Sequence, residues 1–553
     1  MATLLVVRLY FVQIVHGDEY RKDALGQYMQ VASDLEDRGV IYFTSRDRAL
    51  VAAAVMQSGS KIAIRPSDIK DVDATYQTLN EITPIDRERF FASAAKKEDP
   101  YEEVASRVSE DATKKIREKK IEGVLLVRDQ WRTYPAGELA AQTLGFVGFR
   151  GDVRTGMYGL ERAWQDTLVK KSSGLYVNPF AEIFANVGAL LSTDPGAHQG
   201  NIVTYIEPSV QLELEKTLDL VMKTYTPKTA GGIIMDPKTG AIVAMAGRPG
   251  FDPNTFNLAK DPSVFSNPLI EGRYELGSIM KPLTMVIGID SGAVTPRTTY
   301  NDTGCMTRST RKICNYDFKA RGVVPMQEIL NQSLNLGVTF VTERVGFAPF
   351  TAYMKALGLN TKTGIDVPNE VNGDLSPLGE GKEADVNYAA ASFGQGISVT
   401  PIEMTRALAT LANEGTLPSP RVVSAVRYDS GISRSVAASS SVQVFKPESA
   451  RTVTDMLVTV YDDALLGGEL KREHYSIAAK TGTAQMAQPG GGYYSDRYLH
   501  SFFGYFPAYE PRFIVFLFAV EPHGAEFASA SLARPFSLLS DFLINYYDIP
   551  PDR

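Results

Sequence analysis

The strongest constraint on the fold is a pair of runs that are apolar almost without a break. Gly231 to Met235 and Ala241 to Ala246 flank the turn Asp236-Pro237-Lys238-Thr239-Gly240. An Asp-Pro-x-x-Gly turn between two apolar runs predicts a β-hairpin. A strand with one wet face alternates polar and apolar residues; a strand apolar nearly throughout is covered on both faces. The hairpin therefore belongs to a sheet with cover on either side. Pro208 to Tyr225 carries Leu212, Leu214, Leu218, Leu220 and Val221 at helical spacing. Further strands are expected at Phe502 to Phe506 and Phe513 to Val520, and a closing helix from about Ser529 to Tyr547.

The chain has 553 residues, room for two to four domains, with 44% hydrophobic and 22% charged residues. Its net charge of −7 and the lack of a Lys/Arg-rich block argue against nucleic acid as a partner. The five histidines are scattered without metal-ligand spacing, so neither a metal nor another cofactor is expected. Two cysteines, Cys305 and Cys314, exclude a disulfide scaffold. They form either one local disulfide or two free thiols.

The apolar start, Thr3 to Val15, is shorter than the roughly 20 residues that span a bilayer, and it lacks a signal-peptide cleavage site. It reads as a buried helix or, the favoured reading, as the trailing end of a membrane anchor, with the bulk of the chain extracytoplasmic. Residues 16 to about 200 form a mixed region: a polar helix over Asp18 to Asp34, a short strand at Arg38 to Tyr42, a Lys/Glu-rich helical stretch from Lys96 to Lys120 and a strand at Gly123 to Val127. No reactive constellation is visible there, and the composition shifts near Gly196 to Gly200. The expected division is 1–17 as anchor remnant, 18–200 as a binding or spacing module and 201–553 as the catalytic part.

Three short motifs lie in that last part. Ser278-Ile279-Met280-Lys281 is a Ser-x-x-Lys pair just before Pro282, which fits only the first turn of a helix. Residues three apart on a helix are neighbours, so the Lys281 amine would stand beside the Ser278 hydroxyl. A serine becomes a nucleophile when a base takes its proton, and a lysine serves as that base if burial or nearby positive charge lowers its pKa. The pair alone is weak evidence, since a chain of this length carries on the order of two by chance; Ser58-x-x-Lys61 and Ser309-x-x-Lys312 are decoys. Alone, Ser278 reads equally well as a helix cap. Ser333-x-Asn335 falls where Asn331, Gln332, Ser333 and Asn335 crowd a helical pattern, which on its own favours another cap. Lys480-Thr481-Gly482-Thr483 forms the polar end of an expected strand, where Gly482 lets another backbone come close. Thr400-Pro401-Ile402-Glu403 is a capping box and is read as structure only.

The order Ser278-x-x-Lys281, Ser333-x-Asn335, Lys480-Thr-Gly-Thr483, with roughly 50 and then roughly 145 residues between motifs, is that of the serine enzymes acylated by penicillin. The chain resembles a class B penicillin-binding protein, a monofunctional peptidoglycan D,D-transpeptidase. Arg38-Gly-Val-Ile-Tyr42, Arg132-x-Tyr-Pro-x-Gly137 and Gly156-x-x-Gly159-Leu-Glu161 resemble the three motifs of that class's N-terminal region, and Phe393-Gly-Gln-Gly396 to Pro401 and the Gly232–Gly240 hairpin resemble its catalytic domain. The resemblance implies an α+β multidomain fold: a pedestal, or dimerisation-type, domain and a transpeptidase domain. The latter has a central antiparallel sheet covered by helices on both faces and an all-helical subdomain. Two positions depart from the pattern: Phe43-Thr-Ser-Arg-Asp47 where Asp-Arg-x-Gly is usual, and Tyr205-Ile-Glu207 where Thr-Ile-Asp is usual.

By position, the resemblance implies that Lys281, kept neutral by burial and by the Lys480 cation, activates Ser278 to attack the penultimate D-alanine of a stem peptide. Backbone N–H groups of Ser278 and Thr483 would form the oxyanion hole. Ser333 would relay a proton to the leaving amine, and Asn335 would hold the substrate amide. Lys480, Thr481, Gly482 and Thr483 would bind the terminal carboxylate. A second stem peptide would resolve the acyl-enzyme into a cross-link, and β-lactams would be covalent inhibitors. Expected partners are a membrane-bound wall-polymerising glycosyltransferase and division or elongation proteins, met through the pedestal. The Gly137 to Gly148 form favours a division over an elongation enzyme. A serine β-lactamase, a β-lactam sensor and a non-catalytic scaffold are the other readings.

Overall fold

The computed structural model describes residues 37–170 except 152, and 199–553 except 310, 429–431 and 438–440. The expected polar helix at Asp18 to Asp34 and the apolar start lie outside the described residues. Among the described residues no helix is long and apolar enough to cross a membrane. The chain folds as two compact units that interleave along the sequence. Of the described residues, one takes in 37–40, Ala54–Pro135, 166–170 and 199–200; the other takes in Ile41–Ala53, Ala136–Gln165 and Asn201–Arg553.

In the first unit, residues 55–64 of the strand Leu50–Ile64 pair antiparallel with Glu102–Ser109 on one side and Val124–Thr133 on the other. Helices Val72–Asn80, Arg87–Ala94 and Glu110–Lys119 start on Asp71, Asp86 and Ser109, whose side chains accept from backbone N–H groups of the first turn. Ile62, Ile64, Leu79, Phe90, Val108 and Ile116 form its core. Only Glu110–Lys119 of the expected Lys96–Lys120 helix is helical. Glu102–Ser109 is a strand, because Val104 and Val108 turn inward and the backbone pairs with Leu50–Ile64.

The second unit is built on a five-stranded antiparallel sheet. Its strands are β1 (Thr229–Met235), β2 (Ile242–Arg248), β3 (Ala478–Ala487), β4 (Tyr493–Phe506) and β5 (Phe513–Val520), in the order β2-β1-β5-β4-β3. Helix α1 (Pro208–Tyr225) begins on Glu207, whose carboxylate accepts from the Val210 N–H, so the departure at Tyr205–Glu207 keeps a working cap. With the closing helix α2 (Ala533–Tyr546) it covers one face, where Leu214, Leu218, Phe502, Phe506, Leu517 and Phe536 are buried together. The expected closing helix breaks at Leu532, leaving Ala528–Ser531 as a separate turn.

The other face carries Ile233, Phe503, Phe516 and Phe518, all fully buried, under a helical layer. In it lie α3 (Lys281–Asp290), α4 (Met326–Asn331), α5 (Asn335–Val345) and Pro401–Ala409, the last opened by the expected capping box on Thr400. Ile41–Thr44, Asn201–Thr204 and Val423–Arg427 lie side by side in a second sheet. Gln142 clasps the same unit: its side chain accepts from Gly247 N–H and donates to the carbonyls of Pro249 and Val264.

Phe536 sits 4.6 Å from the Phe502 ring and fills the space over Gly504. Phe536→Ala should cost about 3–5 kcal/mol, the usual penalty for emptying an aromatic core site. The drop should appear in the denaturation of the unit that holds the five-stranded sheet.

Candidate active site

Ser278 lies in a 3₁₀ turn, Gly277–Met280, that runs directly into α3 with Pro282 in its first turn. The Lys281 N–H donates to the Ser278 carbonyl. Side chains three apart in such a turn eclipse one another, so Ser278 and Lys281 share a face. Helix α3 is buried nearly all round: Lys281 through Gly288 are inaccessible. Such a helix is a core element, and a lysine in its first turn is carried out of water with it.

Two segments hold the turn. The Gly277 N–H donates to the Gly394 carbonyl at 3.0 Å, and a β-carbon on Gly394 would lie 2.2 Å from the Gly277 oxygen. On the other side, a β-carbon on Gly482 would lie 2.6 Å from the Leu276 carbonyl and 2.3 Å from Ser501 Oγ. The turn can therefore seat against β3 only because position 482 has no side chain. The Phe393–Gly396 stretch, noted in the sequence without a role, is the back wall of the Ser278 turn.

Lys480 to Thr483 does not end its strand, as the sequence reading expected; it lies inside β3, which continues to Ala487 at the sheet edge. The alternation of a strand sorts the motif. Lys480 and Gly482 are buried, whereas Thr481 and Thr483 are half-buried. Thr483 O faces the Gly277 turn. The N–H and C=O of one strand residue leave on the same side, so the Thr483 N–H points off the open edge as well. The Thr483 hydroxyl accepts from the Ala528 N–H at 3.0 Å.

Ser333 occupies the break between α4 and α5, with a left-handed φ of 55°. This unusual backbone for a serine puts its hydroxyl between the two lysines. Lys281 Nζ donates to Ser333 Oγ at 3.0 Å and to the Ser333 carbonyl at 2.5 Å. Lys480 Nζ donates to Ser333 Oγ at 3.2 Å and to the Thr481 carbonyl at 3.2 Å. Asn335 opens α5 and gives its amide N–H to the Cys314 carbonyl at 2.9 Å, which leaves its Oδ1 as an acceptor. Cys314 and Cys305 are joined in a disulfide across the Cys305–Arg308/Arg311–Cys314 hairpin.

Burial pushes the Lys281 amine well below its ordinary value, and the neighbouring Lys480 charge lowers it further. Burial alone lowers Lys480, to about 8. Lys281 is therefore the more readily deprotonated of the two lysines. A neutral amine has two N–H groups and one lone pair; in that form Lys281, donating twice to Ser333, keeps only its lone pair unassigned.

The structure thus brings Ser278, Lys281, Ser333, Lys480 and the Gly482 backbone together, with Thr481, Thr483 and Asn335 on the adjoining elements. The sequence reading gave no part to Ser501, whose hydroxyl donates to the Leu276 carbonyl at 2.7 Å, or to Glu275, which accepts from the Tyr493 hydroxyl at 3.0 Å. Ser501 had a signal, a small polar residue in an apolar strand; Glu275 had none beyond its proximity to Ser278. Among the described residues no cluster could hold a metal ion.

A serine and two buried lysines gathered at the edge of a five-stranded sheet define the site, and comparison with known proteins places the fold that carries it. The penicillin binding protein transpeptidase domain matches residues 230–538, and the penicillin-binding protein dimerisation domain matches residues 35–176. The chain belongs to the penicillin-binding proteins. It is 27% identical to stage V sporulation protein D of Bacillus subtilis, over 96% of this chain and 81% of that one. It is 24% identical to the peptidoglycan D,D-transpeptidase FtsI of Escherichia coli, over 99% of this chain and 90% of that one. The fold matches penicillin binding protein 2X of Streptococcus thermophilus with a TM-score of 0.74 at 20% identity, covering 93% of this chain and 80% of that one. It matches penicillin binding protein 3 of Mycobacterium tuberculosis, solved with aztreonam, with a TM-score of 0.70 at 21% identity, covering 94% and 97%.

Gly482→Ala should leave β3 paired but displace the Ser278 turn. Its labelling rate by a fluorescent penicillin should fall at least ~100-fold, the scale of a 1 Å misplacement of a reacting group, while the folded fraction by circular dichroism stays near wild type.

Proposed function

We propose that this protein is a peptidoglycan D,D-transpeptidase that works through a Ser278 acyl-enzyme. The observation that carries the reading is the setting of Lys281: a fully buried amine, three residues after Ser278 in the same turn, that donates to both the hydroxyl and the carbonyl of Ser333. Ser278 Oγ attacks the carbonyl of the penultimate D-alanine as Lys281 takes its proton. The oxyanion forms against the N–H groups of Ser278 and Thr483, donors of a kind worth about 3–4 kcal/mol each. The C–N bond to the terminal D-alanine breaks, and the proton passes from Lys281 through Ser333 Oγ to the leaving amine. Lys480, Thr481 and Thr483 bind the terminal carboxylate, beside which Gly482 keeps the edge open, and Asn335 Oδ1 accepts from the substrate amide. The amine of a second stem peptide then forms the new C–N bond, the Ser278 ester breaks, and the proton returns to Oγ. A β-lactam enters the same route and stops at the ester.

The Gly137 to Gly148 segment and the relatives named FtsI favour a role at the division septum. A location outside the cytoplasm, with the apolar Thr3 to Val15 as the end of an anchor, agrees with the Cys305–Cys314 disulfide, since such bonds persist in oxidising compartments. A polymerising glycosyltransferase and division proteins, met through the dimerisation-type domain, are the partners this role implies.

Fluorescent penicillin should label the wild-type chain for many minutes and should not label Ser278→Ala. Loss of the label within seconds would mark a β-lactamase instead, and an unlabelled folded chain would remove the assignment. The two lysines also set a pH profile. Acylation needs Lys281 deprotonated, so its rate should rise with pH through the lowered Lys281 value. It needs Lys480 charged, so it should fall as pH passes about 8. Lys480→Arg, whose guanidinium keeps its proton, should lift the alkaline limb out of the measurable range. A wild-type profile with no fall above about pH 8 would contradict the role of Lys480.

A further inference from the structure

We propose that Ser501 is a positioning residue for the nucleophile, setting the depth at which the Ser278 turn seats against the sheet. The inference rests on the acyl-enzyme reading above. Ser501 lies in the apolar half of β4, opposite Gly482 on β3 and Phe518 on β5, and is fully buried. Its neighbours in that strand are His500 and Phe502, and Phe503 follows on its own face. A small polar residue in such a place carries a desolvation cost unless its hydroxyl is bonded. The hydroxyl has one proton, and it goes to the Leu276 carbonyl at 2.7 Å; the Gly482 carbonyl is farther, at 3.4 Å.

Leu276 is itself buried and stands two residues before Ser278, immediately ahead of the 3₁₀ turn. The bond therefore runs from the sheet interior, through the gap left by Gly482, to the backbone that carries the nucleophile. A β-carbon at 482 would occupy the path of this bond, 2.3 Å from Ser501 Oγ and 2.6 Å from Leu276 O. Gly482 and Ser501 thus act as a pair: one opens the approach and the other fixes its end. Gly277 anchors the turn from the opposite side through Gly394. Without Ser501 the turn would lose its tie to the sheet interior and keep those to Gly394, Val399 and Tyr493. Ser278 Oγ and the Ser278 N–H would then move together relative to the Thr483 N–H and Lys281. Ser501 touches none of the reacting atoms; it acts through Leu276.

The test compares wild type, Ser501→Ala, Ser501→Cys and a control, Ser540→Ala. The control removes an equally buried hydroxyl whose bond stays within α2, to the Ser537 carbonyl. Saturation kinetics with a fluorescent penicillin separate non-covalent affinity from the acylation step. Hydrogen exchange of the peptide spanning residues 274–283, without ligand, reads the seating of the turn. Ser501→Ala should lose roughly ten- to a hundredfold in the acylation step with affinity nearly unchanged, as expected for a misplaced nucleophile. Exchange should rise in the 274–283 peptide, and Ser540→Ala should match wild type in both. If Ser501→Ala does not fold, Ser501→Cys, similar in size but a weak donor, should show the same pattern to a smaller degree. An unchanged acylation step, or lost rate with unchanged exchange at 274–283, overturns the proposal. A wild-type chain that takes no label fails the proposed function instead, and the exchange comparison then decides the role of Ser501 alone.

Discussion

Two lysine side chains buried against one serine hydroxyl are the constraint on which the site depends. Lys281 and Lys480 lie 3.0 Å and 3.2 Å from Ser333 Oγ. Burial lowers both amines, and the Lys480 charge lowers Lys281 further, so Lys281 is the one that gives up its proton more readily. Lys281 sits in the first turn of a helix with no wet face, whereas Lys480 lies on an edge strand whose alternate residues are half-exposed. On the proposed reading, the base and the carboxylate-binding cation thus come from one packing arrangement. Burying both amines costs stability, and the two-sided hydrophobic sheet offsets it.

That packing requires three chain segments to meet with little intervening bulk. A helix start, an interrupted helix and a strand edge cannot approach within hydrogen-bond range if side chains stand between them. Gly482 and Gly394 remove the bulk on either side of the Ser278 turn. The left-handed backbone at Ser333 breaks one helical pattern into α4 and α5, so that a side chain that would have run along a helix face points across the cleft. The rest of the catalytic unit makes these approaches rigid. Phe503, Phe516 and Phe518 lock the sheet face beneath them.

Much of this was legible in the sequence because the chemistry has few substitutes. The apolar hairpin at Gly231 to Ala246 could only be a covered strand pair, and Pro282 could only follow the start of a helix. Other features hid behind ambiguous periods. Val104 and Val108 are four residues apart, a spacing that suits helix and strand alike. Their charged neighbours suggested helix; pairing with Leu50–Ile64, a long-range fact, made the segment a strand. Lys480 to Thr483 read as a strand end because its polar residues interrupt an apolar run. In the fold the run continues to Ala487, since an edge strand tolerates half-exposed threonines. The left-handed Ser333 and the disulfide partnership of Cys305 with Cys314 depend on tertiary context, and the sequence left both open.

The proton route bears on how such a site distinguishes cross-linking from hydrolysis. On the proposed reading, the proton given to the leaving amine travels from Lys281 through Ser333. By microscopic reversibility the incoming amine must surrender its proton along the same path in reverse. The two half-reactions are then one exchange run forwards and backwards, with amines of similar chemistry at each end. Nothing in that route needs a dedicated base for water. Lys281 could accept a proton from water as readily as from an amine, so the outcome turns on which molecule occupies the place the leaving D-alanine vacates. Asn335 and the edge of β3 bind peptide through an amide and a carboxylate, groups that water lacks. Selectivity for cross-linking would therefore arise from positioning the acceptor peptide, while the lysine pair supplies the same proton chemistry to either nucleophile.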